Sequence, residues 1–485
     1  MRWWHLKQNI HAAWLIAIIS ISCVVGIWCA SVIPQGWFAE LSWLLSGGML
    51  GLSVLWWRYV WMVPLAVIGG MVIGLWRGSI DQTELHAYDE LYGTTIELRG
   101  VVDDDPAPGK TGEYVVRMGR VSYGLVQLPG TVWLTVPHAS DLQRSDQVTV
   151  QGKLQKGFGT FAGTMYRADI RQVDRPQPGD VALQVRNWFS NQVKHVLPSP
   201  ESALGLGFLL GQREQLPSDL QDALRTAGLM HIVVASGYNL TILVRLARRL
   251  FIRISRFSAL AVAGGMVLGF LAITGLSPSM SRAALVTGLS LLAWYYGRRF
   301  HPIVLLTLAA AITTLIHPSY AWGDIGWQLS FAAFAGVMLL APLIQAYFFG
   351  TKKSGVVRQI IGETIAAQLT TMPIIILTFG QISTVAILTN ILVVPLIPLA
   401  MLLTFMIGIA NVGLPWFASL LAIPTVWLLG YMIHVAIGFA QQPWALVEVH
   451  FGVLSLITYY LVLLGVGYYL WRRTRYNFRR SSIVE

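Results

Sequence analysis

Residues 383–410 read STVAILTNILVVPLIPLAMLLTFMIGIA and contain no charged side chain. An apolar helix of this length can cross a hydrocarbon core about 30 Å thick. Similar stretches recur along the chain of 485 residues, of which 55% are hydrophobic and 12% charged. Soluble domains carry roughly 25% charged residues, so this composition excludes an ordinary soluble protein. The sequence therefore predicts a polytopic α-helical membrane protein.

The predicted spans alternate with loops whose charges define an orientation. Lys and Arg are concentrated in the loops that a cytoplasmic N-terminus places inside, whereas the short outer loops 34–40, 274–281, 318–324 and 440–450 contain neither residue. This distribution obeys the positive-inside rule. We therefore expect a multi-pass protein of the bacterial cytoplasmic (inner) membrane with both termini cytoplasmic. About twelve spans are predicted, at residues 12–33, 41–57, 59–76, 229–244, 257–276, 282–297, 302–317, 325–348, 359–379, 383–410, 417–439 and 451–471.

The net charge of +11 follows from these inner loops and from a basic tail at 473–485. Basic clusters beside a membrane are topology signals that also contact lipid headgroups, so they do not by themselves indicate a nucleic-acid site. The two cysteines, Cys23 and Cys29, lie on different faces of the first predicted span. We therefore expect no disulfide, no metal site and no cofactor.

Residues 77–180 differ from the rest of the chain and form a predicted extracytoplasmic domain. Short runs rich in Val, Ile, Thr and Tyr alternate with turn clusters such as Gly157-Phe158-Gly159. Five short strands at this spacing are typical of a small closed or partly open barrel, and an all-β OB-like fold is the first choice. The runs occupy residues 97–103, 114–122, 131–137, 147–154 and 165–173.

This domain carries basic side chains among aromatic ones in its later part. Basic groups that follow phosphates beside aromatic rings that stack on bases are what a groove for single-stranded DNA requires. An ordinary solvated sheet face with strand aromatics is the simpler interpretation of the same residues, and it stays open here. The candidate DNA-binding residues are Arg117, Arg120, Trp133, Lys153, Lys156, Arg167 and Arg171.

A connecting region at 181–228 follows the predicted barrel. Its first part, 181–197, is amphipathic, with Val185, Trp188 and Phe189 on the apolar side, and is expected to rest on the outer membrane surface. Residues 202–211 are apolar but too few to cross a membrane, so a re-entrant or membrane-resting segment is expected. The remaining predicted parts are an N-terminal three-helix membrane segment (1–76) and a polytopic bundle (229–472).

Polar residues interrupt the predicted spans of this bundle. Ionisable groups are costly in hydrocarbon and usually face a bundle interior or a wet cavity, and glycine breaks at such depth line protein or water. The set therefore favours a polar pathway, although a structural ion-pair network or placement near the headgroups remains an alternative for Arg282 and Asp324. The candidate pathway residues are His231, Ser236, Gly237, Tyr238, Asn239, Arg282, Asp324, Gln328 and Ser330.

Several of these residues belong to motifs that occur in a fixed order: Leu210-Gly211, Thr226 to His231, Ala235 to Leu240, Thr274 to Ser279 with Arg282-Ala283, Asp324 to Phe331, and Asn390 with Pro395. Together they resemble the ComEC family of competence DNA-uptake channel proteins, and the order of N-terminal helices, OB-like domain and polytopic bundle also matches. Where the family commonly has Leu-His after Ser-Gly, this chain has Tyr238-Asn239, which puts a His-dependent step there in question.

The resemblance implies a channel that moves one strand of transforming DNA into the cytoplasm. Arg282, near the predicted outer mouth, would attract phosphate, and His231, Ser236 and Asn239 would line the constriction with uncharged polar groups. Asp324 would hold Arg282 or a helix end. The implied partners are single-stranded DNA, membrane lipids, an extracytoplasmic DNA receptor, a separate nuclease, and cytoplasmic motor or strand-binding proteins; the oligomeric state is not implied.

Other function classes remain to be weighed. Many family members carry a metallo-β-lactamase-like domain, but no His-x-His-x-Asp-His cluster occurs in this sequence, so an enzyme of that type is not expected. The main alternative is a transporter of a small solute or lipid-linked envelope precursor with an extracytoplasmic docking domain. An intramembrane hydrolase using His231 and Ser236 is disfavoured, because a helix separates these residues by about 140° around its axis.

Overall fold

The computed structural model describes residues 12–32, 48, 61–109, 112–137, 142–177, 179–212, 215–233, 237–275, 278–298, 301–350 and 355–476. These residues form a mostly helical protein with one β-sheet region. The helices are α1 (Ala12–Ala30), α2 (Met62–Leu85), α3 (Val181–Lys194), α4 (Glu201–Leu210), α5 (Ser218–Thr226), α6 (Met230–Val233), α7 (Gly237–Phe251), α8 (Arg256–Thr274), α9 (Pro278–Tyr295), α10 (Pro302–Ile316), α11 (Tyr320–Gly323), α12 (Ile325–Ala335), α13 (Ala341–Phe349), α14 (Val356–Phe379), α15 (Ala386–Val393), α16 (Ile397–Gly413), α17 (Pro415–Ala440) and α18 (Val453–Thr474). A π-helical turn, Gly336–Leu340, joins α12 to α13.

Within the described residues, eight helices are long and apolar enough to cross a membrane. Each coincides with one of the predicted spans, which confirms the membrane class of the protein. They are Ala12–Ala30, Met62–Tyr88, Arg256–Thr274, Ile325–Phe349, Arg358–Phe379, Ala386–Gly413, Pro415–Ala440 and Val453–Thr474.

The four other predicted spans do not belong to this group. The span predicted at 41–57 lies outside the described residues. The one at 229–244 corresponds to the short helix α6 and the amphipathic helix α7, whose last turn carries Arg248 and Arg249. The remaining two correspond to α9 and α10, and α10 is an apolar helix shorter than a full span. A total of about twelve crossings therefore stays a prediction.

The chain divides into two compact units, Met1–Val181 with Ile303–Trp327, and Ala182–Pro302 with Gln328–Glu485. In the first unit, α1 and α2 pack through small residues. A Cβ added to Gly26 would overlap the carbonyl oxygen of Met71, and one added to Gly74 would overlap that of Cys23. Small residues let transmembrane helices approach closely, and this dense packing replaces the hydrophobic driving force that lipid cannot supply.

The β-sheet region of the first unit closes on itself. Its strands follow the order β1–β3–β5–β7–β6, and β6 pairs with β1 to complete a ring. β5 and β7 are parallel, whereas the other neighbours in the ring are antiparallel. Leu98, Met118, Leu134, Leu154 and Met165 fill the interior without exposed surface. The strands are β1 (Thr95–Val102), β2 (Ala107–Pro108), β3 (Tyr114–Tyr123), β4 (Val126–Gln127), β5 (Thr131–Val136), β6 (Gln147–Lys156), β7 (Phe161–Met165) and β8 (Asp169–Asp174).

The connecting region begins the second unit, and its helices pack into the helical core. Phe189 of α3 stacks on Phe405 of α16, with ring centroids 6.1 Å apart, whereas Val185 and Trp188 stay exposed. One part of the apolar side that was predicted to rest on the membrane surface therefore packs against protein, and the other part stays exposed. In α4, every residue from 202 to 210 is buried. A membrane-resting helix would expose one face, so this placement fits only a segment enclosed by protein.

The second unit also contains a two-stranded sheet that joins two of its long helices. β9 (Gln381–Ser383) follows α14, and β10 (Leu446–Glu448) follows α17. The two strands are antiparallel. Because they follow the C-terminal ends of α14 and α17, these ends lie together.

Candidate nucleic-acid interface

A cluster of four aromatic rings lies on one side of the closed sheet. The Trp133 ring is 5.6 Å from Phe158 and 5.6 Å from Tyr166, and Phe158 is 5.4 Å from Phe161, all in edge-to-face geometry. Phe158 and Tyr166 expose 52% and 53% of their surface. Edge-to-face pairs hold one another in place, so the cluster presents rigid apolar faces to the outside. We call these four residues the aromatic cluster.

Two of the predicted basic residues lie beside the aromatic cluster. Arg117 is directly opposite Trp133 in the β3–β5 pairing, and its guanidinium lies 5.7 Å from the centre of the Phe161 ring. Arg167 follows Tyr166 in sequence, and its side chain is 79% exposed while it pairs with Glu113 at 2.7 Å. An exposed ion pair of this kind contributes little to stability and exchanges readily with another anion. The structure therefore brings Arg117, Trp133 and Arg167 together.

The other predicted basic residues of this domain are spread over the sheet. Lys153 lies opposite Thr95 of β1, and Arg171 of β8 donates to the Gln151 side chain at 2.6 and 2.9 Å. Arg120, within β3, and Lys156, at the end of β6, are both exposed. Lys153 and Arg171 thus belong to the β1–β6–β8 part of the sheet, away from the β3–β5 pairing that carries Trp133.

An acid with a raised pKa, Asp103, adjoins the basic side of the aromatic cluster. The carboxylate of Asp103 packs over Gly119, where an added Cβ would overlap it. Burial raises the pKa of Asp103 to about 6, and the neighbouring Asp104 acts in the same direction, while Arg120 and Arg117 oppose the rise. The carboxyl group of Asp103, beside Arg117, therefore loses its proton at a pH of about 6.

His231 is positioned by the turn between α5 and α6. The Ser383 hydroxyl donates to the Thr226 carbonyl at 2.6 Å, and the Thr389 hydroxyl donates to the Ala227 carbonyl at 2.6 Å. Gly228 has φ +71° and lies so close to Ala386 that a Cβ would collide with it. Helix α15 and the strand before it thus fix the turn that precedes His231. The sequence offered no sign of these anchors, since they lie more than 150 residues away along the chain.

His231 lies in α6 directly after this anchored turn, and it is exposed. Its ring hydrogen-bonds to the backbone of Gly228. The contacts that fix the turn therefore also position an exposed imidazole.

The residues that follow His231 in the motif are packed inside the protein. Asn239 has no exposed surface and donates to the Phe208 carbonyl at 3.0 Å and to the Ile232 carbonyl at 3.3 Å. It therefore joins α4, α6 and α7. Gly237 packs against Ala283 of α9, at a distance that leaves little room for a side chain. Ser236 and the side chain of Tyr238 lie outside the described residues.

Arg282 lies in α9 and is only 3% exposed. Its guanidinium carbon is 5.6 Å from the centre of the Phe331 ring. A cation over an aromatic face is stabilised by the ring quadrupole, most strongly where water is excluded. The sequence suggested an accessible position at an outer mouth, whereas the structure encloses Arg282 in protein.

Asp324 holds a helix end. Its carboxylate accepts a hydrogen bond from the backbone N–H of Trp327 in the first turn of α12. A side-chain acceptor at this position satisfies one of the free donors of a helix N-terminus. The Trp327 indole then donates to the Thr313 hydroxyl of α10 at 2.9 Å, which fixes α12 against α10. Gln328 and Ser330 follow in α12, and both are partly buried.

Comparison with known proteins gives two findings. The family model described as Competence protein matches residues 208–474, from α4 to the end of α18. ComE operon protein 3 of Bacillus subtilis (strain 168) is 26% identical over 215 residues, which are 44% of this chain and 27% of that protein. The chain thus covers little more than a quarter of this relative. No solved structure matches the chain.

Proposed function

Because the matched region covers more than half of the chain, this protein belongs to the Competence protein family, and we propose that it is a channel that translocates single-stranded DNA across the cytoplasmic membrane during natural transformation. Membership and the eight apolar helices make it a multi-pass membrane protein of the competence system. The passage of a single strand through the bundle is the proposed step.

The aromatic cluster with Arg117 and Arg167 is the observation that carries this proposal. Exposed rings accept any base by stacking, and neighbouring guanidinium groups attract the phosphates, so together they suit a single strand without sequence preference. A module that docks a small solute or an envelope precursor does not require several rigid aromatic rings beside Arg117 and Arg167. This difference favours DNA over the transporter alternative.

The strand order supports an OB-type assignment for the closed sheet. OB-folds bind oligonucleotides on the face of their second and third strands and with the loops between strands one and two and between four and five. In this ring the equivalent elements are β3, β5 and the loops 103–113 and 157–160. Trp133, Arg117 and Phe158 belong to those elements. The likeness in topology and the positions of these side chains point to the same face.

In the membrane part, we place the proposed route along the exposed His231 side chain. A polyanion must leave a channel as easily as it enters, so uncharged hydrogen-bonding groups suit the wall better than a row of fixed cations. Arg282 is enclosed in protein, which agrees with a wall of uncharged groups. We therefore propose that Arg282 supports this wall through its contact with Phe331. The same proposal includes about twelve membrane crossings, cytoplasmic termini, and partner proteins that deliver, degrade and pull the strand.

Transformation in a deletion strain tests the function. We expect deletion of the gene to abolish uptake of labelled DNA into the cytoplasm, with growth and envelope composition unchanged. Complementation with Trp133→Ala should restore less uptake than complementation with the wild-type chain at equal membrane abundance. Undiminished transformation in the deletion strain would refute the channel, and an altered envelope would favour the transport of an envelope precursor.

A further inference from the structure

The β-sheet region and the membrane helices of the first unit meet backbone to backbone at two glycines. Gly159 lies in the loop between β6 and β7, and Gly323 ends the short helix α11. A Cβ on Gly323 would overlap the Gly159 carbonyl, and a Cβ on Gly159 would lie 2.9 Å from the Gly323 oxygen. Only residues without side chains permit so close an approach. We call residues 317–324 the docking turn.

Other parts of the first unit contact the same turn or the helix that precedes it. Arg77 of α2, the helix that leads into the β-sheet region, donates from Nε to the Leu315 carbonyl at 2.9 Å and from a terminal nitrogen to the Ile316 carbonyl at 3.2 Å. A cation at a helix C-terminus is favoured by the free carbonyls there. Ala321 of the docking turn is buried with Cys23 and Ile27 of α1. These contacts hold the docking turn and the helix before it against α1 and α2, whereas the glycine contact joins the turn to the β-sheet region.

The glycine contact lies next to the aromatic cluster. Phe158 precedes Gly159 directly, and its ring contacts both Trp133 and Phe161. On the other side of the contact, Gly323 is followed by Asp324, whose carboxylate caps the N-terminus of α12. The exposed rings and the first turn of a membrane helix are thus neighbours across a single backbone contact.

We propose that the docking turn is the seat that fixes the aromatic cluster beside the first turn of α12, so that single-stranded DNA passes directly from the stacking rings to that turn. This inference rests on the proposed function and adds a positioning role for Gly159, Gly323 and Arg77. A strand released from a fixed ring cluster is presented to the next site at high effective concentration. A mobile domain would lose that advantage.

Gly323→Ala in the full-length chain tests the seat. The added methyl must displace the Gly159 loop, whereas the matched control Gly438→Ala, late in α17, meets no atom within 4 Å among the described residues. Overpacking of this kind shifts a docked arrangement by about tenfold, so uptake of labelled DNA should fall about tenfold in Gly323→Ala and not in Gly438→Ala. Membrane abundance is measured for both variants.

A second experiment distinguishes the outcomes even if Gly323→Ala lowers the abundance of the protein in the membrane. It places a photo-crosslinking amino acid at position 158, in place of Phe158. In the membrane-embedded wild-type background it should crosslink within the chain to the docking turn, and Gly323→Ala should remove that product while crosslinking to added single-stranded DNA persists. Normal uptake by Gly323→Ala at normal abundance, or no crosslink to residues 317–324 in the wild-type background, would overturn the seat. Normal transformation in the deletion strain would instead refute the proposed function.

Discussion

The anchor between Thr389 and the turn before His231 allows a quantitative prediction. Thr389 is fully buried, and its hydroxyl lies 2.6 Å from the Ala227 carbonyl, 162 positions away in sequence. Thr389→Val keeps the shape of the side chain but removes this donor. An unsatisfied buried carbonyl costs about 1–3 kcal/mol, whereas interhelical hydrogen bonds in membranes average about 0.6 kcal/mol. We expect a loss of about 1 kcal/mol.

Thr425→Val is the matched control. Thr425 is also fully buried, but its hydroxyl donates to the Leu421 carbonyl of its own helix at 2.7 Å. The Leu421 carbonyl belongs to the backbone of α17 itself, so losing the hydroxyl breaks no contact between segments. The control should therefore change stability by only a few tenths of a kcal/mol. Both variants lose one hydroxyl from an equally buried site. The difference between them isolates the bond that crosses between segments.

Two measurements on the purified chain in bicelles check this prediction. The free energy of unfolding should fall by about 1 kcal/mol for Thr389→Val and scarcely for Thr425→Val. The second measurement uses His231→Cys, with Cys23 and Cys29 replaced by Ser, and records the labelling rate by a water-soluble thiol reagent. Thr389→Val should change that rate, and Thr389→Ser should restore it. Equal stability losses in the two Val variants, or an unchanged labelling rate, would refute the anchoring role.

Three further predictions concern other parts of the chain. Gly74→Leu should separate α1 from α2, because even a Cβ would overlap the Cys23 carbonyl, and the amount of folded protein in the membrane should fall sharply. Stability of the β-sheet region should fall as pH rises from about 4 to about 6, because Asp103 binds its proton more tightly in the folded than in the unfolded state; hydrogen exchange should show that Asp103→Asn removes this slope. Trp133→Ala should weaken binding of single-stranded DNA by about 1–3 kcal/mol, while Tyr123→Ala, which removes an exposed ring outside the aromatic cluster, should leave it unchanged in a salt-controlled titration.

Features with a local signal could be predicted from the sequence. Hydropathy located eight membrane helices, because an uncharged stretch long enough to span has few other stable environments. Alternation of apolar and polar residues located four of the ring strands, because a closed sheet has only one interior. The run predicted at 165–173 instead covers the end of β7, the turn after it and β8, so the ring strand Phe161–Met165 was missed. Phe158 was passed over, however, since it lies in a cluster of glycines that reads as a plain turn.

Features that depend on distant contacts left no local signal. Arg282 has the sequence context of a helix mouth, but Phe331 and the surrounding helices enclose it. Asn239 resembles a pathway residue in an interrupted span, although it joins three helices through backbone carbonyls. The Thr389 anchor and the meeting of Gly159 with Gly323 likewise depend on segments that only the folded chain brings together.

Crosslinking of DNA in transit tests the central claim most directly. A photo-crosslinking amino acid is placed at His231, on the proposed route, and as a control at Trp427 of α17, which is 77% exposed. Competent cells take up labelled DNA and are irradiated during uptake. The account predicts a DNA adduct at position 231 and none at position 427. Continued transformation by both variants with no adduct at position 231 would contradict passage of the strand through this bundle.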